Sequence, residues 1–233
     1  MLKFNTVKIG HNSPLFSIPS LELEPGKCYS IIAPNGAGKT TLLLTLLRQY
    51  NLLTGEILLH NQNLSLYNSS DLAKEIGFVA SRFEGLEHMT VTEYVALGRS
   101  PYTNIFGYLS TEDNSIISDS ISKLNLTEFA STDTSILSDG MRQLCAIAKV
   151  LAQKTRIILL DEPTAFLDYA NKTKVMKILK ELAKSENVIV LLSSHDIELS
   201  AQFEFEFLFL DKSNSSLVLE HGISYASVID RVF

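Results

Sequence analysis

The chain has no tryptophan and only two cysteines, Cys28 and Cys145, among 233 residues. Two distant thiols without ligand spacing give neither a disulfide framework nor a zinc site, so both are expected as small buried hydrophobes. A basic excess is missing too. Twenty Lys and Arg against 26 Asp and Glu leave a formal charge of −6, which provides no global footprint for nucleic acid. No uninterrupted apolar run reaches the roughly 18 residues of a membrane span. The start, MLKFNTVKIG, lacks the apolar core of a signal peptide, so a cytoplasmic protein is expected. Internal repeats, long linkers and low-complexity segments are also absent. At 45% apolar residues, the composition suits one large α/β domain, or a core with a small insertion.

What is present is concentrated in APNGAGKTT, which comprises Ala33, Pro34, Asn35, Gly36, Ala37, Gly38, Lys39, Thr40 and Thr41. A strand is expected before it, from Cys28 to Ile32, and a helix after it, from the run Leu42, Leu43, Leu44, Leu46 and Leu47. Small residues let the backbone curl around phosphate oxygens, and a helix start aims unpaired N–H groups and a positive dipole end at them. Lys39 supplies a point charge for β- and γ-phosphates, and Thr40 a hydroxyl for Mg²⁺. A plain Gly-rich turn would leave Lys-Thr at this spacing unexplained. Ala33 stands where the usual pattern has its first Gly.

Around this loop, Leu2, Phe4, Val7 and Ile9, then Leu21 and Leu23, suggest short antiparallel strands ended by Pro25-Gly26. Glu56 to His60 and Ile76 to Ala80 suggest two more. From about Glu84 to Ala152 the pattern turns helical, with Val91 to Leu97, Asp113 to Leu124 and Met141 to Leu151 as amphipathic segments. Continuous apolar runs at Ile157 to Leu160 and Val188 to Leu192 suit interior parallel strands. Alternating Phe203, Phe205, Phe207 and Phe209 suggest a later, half-exposed strand with a core-facing aromatic stripe. The tail from Asp211 is poorly informative.

The segment IILLDEP ends a buried strand in two acids. Asp161 can complete a Mg²⁺ shell, and Glu162 can polarise a water attacking the γ-phosphorus in line. His195, in SSHD just beyond the next apolar strand, can bridge the γ-phosphate and Glu162.

LSDGMRQ, Leu137 to Gln143, opens a helix ahead of that acid pair. Together with the phosphate loop, the acid pair, TAFLD ending at Asp168 and the His195 segment, it resembles the ABC-type ATPases over nearly the whole chain. The resemblance implies a P-loop (RecA-like) α/β core with an N-terminal antiparallel β subdomain and an inserted helical subdomain at about 84–152, all within a single ABC ATPase domain spanning 1–233. It implies ATP and Mg²⁺ as ligands. It also implies a head-to-tail homodimer, or a heterodimer with a related ATPase, in which Ser138, Asp139 and Gly140 of one copy close over ATP held by the other. A local helix cap by Ser138 or Asp139 would explain the turn alone.

Three positions depart from the pattern. Asp139 replaces the first signature Gly, and its carboxylate is expected to turn from the phosphates and cap the helix. Ser81, in IGFVAS, replaces a longer Gln, so that either Arg82, Glu84 or a water substitutes for it or coupling differs. Ile9-Gly10 stands where an aromatic ring commonly stacks on adenine. VTEYVALGRSPYTN, Val91 to Asn104, is similar to importer ATPases for iron complexes, haem and cobalamin. That similarity implies an integral-membrane permease docked between this region and Ser81 to Glu84, at the cytoplasmic face of the membrane, with an extracytoplasmic substrate-binding protein as an indirect partner. Arg82 and Arg99 are expected at the rim of that surface, and Tyr94 and Tyr102 as its anchors. Two rival readings stay open: a soluble ABC ATPase of DNA repair, cofactor assembly or translation, and a regulatory ATP-binding subunit with little turnover.

Overall fold

In a computed structural model, which describes residues 1–11, 13–211 and 215–220, the apolar residues Leu2, Phe4, Val7 and Ile9 all face inward on β1 (Leu2–Gly10). Simple alternation would send the second pair outward. A bulge at Thr6, whose φ is 49°, shifts the phase by one residue and keeps both pairs in the core. β1 pairs antiparallel with β2 (Pro14–Leu23). The chain then turns through Pro25 and Gly26 into β3 (Cys28–Ile32), five residues that are all buried. After the glycine loop come α1 (Lys39–Leu46), β4 (Thr54–Leu59), the short β5 (Gln62–Asn63), α2 (Ser69–Glu75) and β6 (Ile76–Val79).

Three helices follow: α3 (Val91–Ala96), α4 (Thr111–Lys123) and α5 (Asp139–Gln153). Reciprocal capping boxes, Thr90 with Glu93 and Ser110 with Asp113, start the first two. They pack on one another through Val91, Val95, Ile117, Ile121, Leu144 and Ile147. The chain then returns through β7 (Ile157–Asp161), α6 (Tyr169–Glu186), β8 (Ile189–Ser193), α7 (Ile197–Gln202), β9 (Glu206–Asp211) and β10 (Ser216–Glu220).

Among the described residues all strands join one sheet, in the order β5-β4-β1-β2-β10-β9-β3-β8-β7-β6. From β9 to β6 every pairing is parallel. From β5 to β2 the pairings are antiparallel, and β10 splices the two halves, running parallel to β2 and antiparallel to β9. The fold is thus α/β, with its parallel part covered on both faces. Cys28 and Cys145 are both buried, and burial pushes each thiol up to about 12. No helix among the described residues is long and apolar enough to cross a membrane.

Phe205, Phe207 and Phe209 are buried, as a core-facing stripe requires, but the strand itself differs from expectation. Phe203 ends α7, and β9 begins only at Glu206. Phe207, Leu208 and Phe209 are all buried, because β9 lies between β3 and β10 and is covered on both faces rather than half-exposed. The eighteen-residue α6 is an element the pattern reading did not anticipate. Val175, Met176, Leu179, Leu182 and Ala183 give it an apolar stripe at helical spacing, set among lysines and glutamates.

Candidate functional site

Strand order brings the loop, the acids and the histidine together. β8 lies between β3 and β7, all three are parallel, and so their carboxyl ends open on one edge of the sheet. Ile32 leads into the glycine loop there, Asp161 into Glu162, and Ser193 towards His195.

The loop wraps the start of α1. Gly38 is its N-cap at φ 102°, a backbone conformation in which an L side chain would be strained. Ala33 is buried and its φ is not positive, so its methyl carries no backbone strain. A cleft of about 340 Å³ opens above the loop, lined by Pro34, Asn35, Gly36, Gly38, Lys39, Thr40, Thr41, Ser81, Asp161 and Glu162.

Lys39 is only 8% exposed. Its Nζ donates to the carbonyl of Ala33 at 2.8 Å and lies 3.4 Å from His195 Nε2 and 3.9 Å from Glu162 Oε1. Burial lowers its pKa, while Glu162 and Asp161 hold it up. Glu162 Oε1 is 2.9 Å from His195 Nε2. Burial raises the Glu162 carboxyl, against the opposing charges of His195 and Lys39. Its backbone stands at φ 48°, a left-handed conformation that L residues avoid. Asp161 uses both oxygens: Oδ2 accepts from Thr40 Oγ1 at 2.8 Å and Oδ1 from Ser193 Oγ at 2.6 Å.

Ser138, Asp139 and Gly140 lie apart from this cluster and do not line the cleft. Ser138 caps α5, accepting from the Met141 N–H at 3.3 Å, with the extended backbone that a cap requires. The expectation that Asp139 caps the helix is therefore corrected. Asp139 is already helical, and its carboxylate pairs with Arg142 Nη1 at 3.1 Å. Gly140 sits close to the loop beyond the acid pair, where a Cβ would come 3.0 Å from the Phe166 carbonyl oxygen.

Other expected surface residues prove internal. Arg99 is buried on Asp113 and the Ala152 carbonyl, and so is not a rim residue. Tyr94 is buried and stacked on Phe83, with ring centroids 4.1 Å apart, so its ring is spent on packing. Arg82 and Tyr102 remain exposed. Ile9 is fully buried and offers no surface to a base; the exposed ring beyond it is His11, set edge-on to Tyr50 at 4.2 Å.

Pattern reading also missed polar residues that brace the site. Ser193 joins Asp161 to the Glu162 N–H. Asp196 accepts from Thr164 and Lys172, fixing the turn after His195. The only signal for the second group was its place in and around SSHD and TAFLD.

A glycine loop, a buried lysine and a strand-end acid pair on the carboxyl edge of a parallel sheet define a P-loop nucleoside triphosphatase. The profile of the family described as ABC transporter matches residues 16–165, and the chain belongs to that family. It is 33% identical over 193 residues to the iron(3+)-hydroxamate import ATP-binding protein of Bacillus subtilis, covering 83% of this chain and 72% of that one. Among solved structures, an inward-facing metal-chelate type ABC transporter superposes with a TM-score of 0.82 at 28% identity, covering 100% of this chain and 88% of that one. A dimeric ATP-binding cassette in a post-hydrolysis state, bound to ADP and phosphate, gives 0.79 at 28% identity, covering 97% and 100%.

The Asp139 pairing makes a specific prediction. Asp139→Gly removes a half-exposed ion pair, while Arg142 keeps its bonds to the Thr134 and Ser135 carbonyls. Chemical denaturation should show a loss of only roughly 0.5 kcal/mol, with ATP hydrolysis changed by no more than a few-fold. A rise beyond about tenfold would show instead that the carboxylate repels the triphosphate.

Proposed function

We propose that this chain is the ATP-binding and ATP-hydrolysing subunit of a membrane importer whose cargo is a metal chelate of the iron-siderophore, haem or cobalamin kind. The observation that carries the catalytic part is the convergence of Lys39, Glu162 and His195 at one mouth, beside a Thr40–Asp161 contact. The import function named for the Bacillus subtilis relative supports the cargo class.

Lys39 exchanges the Ala33 carbonyl for phosphate oxygens when ATP enters. The loop N–H groups and the start of α1 complete the cradle. Thr40 and Asp161 fit Mg²⁺, since a hydroxyl and a carboxylate already in contact are hard oxygen donors. Among the described residues no group of three or more His, Cys, Asp or Glu could hold a metal, so this pair would leave the remaining positions to phosphate and water. Bound Mg²⁺ supplies charge neutralisation along the β- and γ-phosphates. Glu162, kept ready to take a proton by its raised pKa, orients the attacking water. His195 holds Glu162 through Oε1, the oxygen nearest Lys39, and can contact the γ-phosphate.

Ser138 and Gly140 act in trans. Within one chain they stand off the cleft, and a second copy facing head to tail would bring them over the nucleotide as a second anion cradle. The dimeric arrangement of the solved cassette supports this. Residues 84–152 form the helical subdomain of a single 1–233 ATPase domain, peripheral at the cytoplasmic face of the membrane. Arg82 and Tyr102 belong to the permease-docking surface made by Ser81 to Glu84 and the Val91 to Asn104 region.

Exchanging Arg82 for Glu and Tyr102 for Ala together is expected to cut permease recovery in detergent and cargo uptake by at least about fivefold, with ATP binding by the isolated subunit intact. Wild-type recovery and uptake in that double variant would remove this surface. Capture of a soluble partner in place of any permease would return the protein to the soluble ATPases of repair, assembly or translation. Absence of ATP turnover in the complex would leave a regulatory nucleotide-binding subunit.

A further inference from the structure

Ser193 is the last residue of β8 and sits directly across from Asp161 in the sheet register. Its side chain is fully buried. The hydroxyl spends itself twice: it donates to Asp161 Oδ1 at 2.6 Å and accepts the Glu162 N–H at 2.9 Å. These two bonds act on different parts of the site. With Oδ1 held by Ser193 and Oδ2 by Thr40, the Asp161 carboxylate has one available orientation. The second bond falls on the amide of the residue whose backbone is left-handed, at φ 48°. That turn swings the Glu162 side chain back to His195 and Lys39. Without the hydroxyl, one carboxylate oxygen and one N–H would lie unpaired in the interior. The neighbouring Ser194 cannot stand in, because its own hydroxyl accepts the Asp196 N–H at 2.9 Å.

We infer that Ser193 is a positioning residue for hydrolysis: a single hydroxyl sets both the carboxylate facing the metal-binding threonine and the backbone turn that presents Glu162 to the attacking water. The inference rests on the ATPase reading given above. It differs from mere satisfaction of buried polar atoms in what it predicts for the metal and for turnover. A structural role alone lowers stability and leaves the surviving folded protein with normal Mg²⁺ affinity and normal kcat. A positioning role moves both in the folded protein.

Ser193→Ala and Ser193→Thr in the full chain separate these roles. The Ala variant is expected to lose about 10–100-fold in kcat, with KM for ATP nearly unchanged and a Mg²⁺ midpoint for mant-ATP binding raised by about tenfold. The Thr variant, which keeps the hydroxyl, is expected to recover both to within about threefold of wild type. An Ala variant with wild-type kcat and Mg²⁺ midpoint would overturn the assignment. So would a Thr variant that folds yet fails to recover them. If Ala does not fold, Ser193→Cys decides. A longer, weaker donor should preserve the fold and lose turnover, and wild-type turnover in that variant overturns the assignment. Wild-type hydrolysis tests the ATPase reading separately, since the Mg²⁺ titration of mant-ATP binding needs no turnover.

Discussion

Replacing Glu162 by Gln is expected to lower ATP turnover by about 10³-fold while leaving ATP binding nearly unchanged. Gln keeps the volume and a hydrogen bond to His195 but cannot take a proton from water. The Lys39 contacts with the Ala33 carbonyl and the incoming phosphates do not depend on that charge. ATP bound without hydrolysis should hold two copies together, and size-exclusion chromatography with ATP and Mg²⁺ should show a dimer. A variant that stayed monomeric well above its nucleotide dissociation constant would contradict the reading. The acid side of the pH profile carries a second check. Glu162 must be ionised to act, and burial raises its pKa, so wild-type activity should fall as pH drops towards that raised value, earlier than an ordinary carboxylate would dictate. For stability the sign is opposite. A carboxyl raised by folding contributes stability below its unfolded pKa, and that contribution is lost as pH rises through the folded value. The Gln variant should therefore melt no lower than wild type at neutral pH.

The largest stability loss is expected from Arg99→Ala. Its guanidinium is buried, donates to Asp113 Oδ1 at 2.7 Å and to the Ala152 carbonyl at 2.9 Å, and lies 4.1 Å from the centre of the Tyr102 ring. Truncation would strand a buried carboxylate without its cation and leave a carbonyl near the end of α5 without its donor. Urea unfolding should show a loss of about 3 kcal/mol, and Arg99→Lys should rescue little, because one ammonium cannot match the planar fork. A loss below about 1 kcal/mol would place the pair in the class of surface bridges. The Ser110 hydrogen bonds, and then Arg99, hold the Asp113 carboxyl down to about 2. This group's contribution is therefore present above the ordinary aspartate pKa and drains away as pH falls towards 2. The Ala variant should show a smaller acid-side loss than wild type.

Arg99 also marks where sequence reading stopped. The phosphate loop, its flanking strand and helix, the strand-end acids and the interior strands were all legible, because each is written within a few residues. A charged side chain in a helical stretch reads as a surface group by default. Its burial was decided by Asp113 on α4 and by a carbonyl of α5, partners that spacing along the chain does not pair. Tyr94 failed for the same reason, through Phe83. α6 escaped notice because lysines and glutamates dilute its stripe, although Val175, Met176, Leu179 and Leu182 keep the period. Ser193 carried no signal of its own. A serine between an apolar strand and a histidine becomes informative only when the neighbouring strand sets Asp161 opposite it.

The sheet order also dictates a sequence of events during synthesis. β3, the strand that launches the phosphate loop, has β8 and β9 as its neighbours, and neither exists until residues beyond 188 have been made. The antiparallel strands β1, β2 and β4 can pair as soon as the first quarter of the chain emerges from the ribosome. Contacts so distant in sequence form slowly, and a nascent chain stalled before β8 carries its nucleotide loop on an unpaired strand whose five residues are all buried in the finished fold. Such a chain offers a natural target for chaperones. The ATP cradle, made well before β8 and β9, is among the last parts of the molecule to become whole.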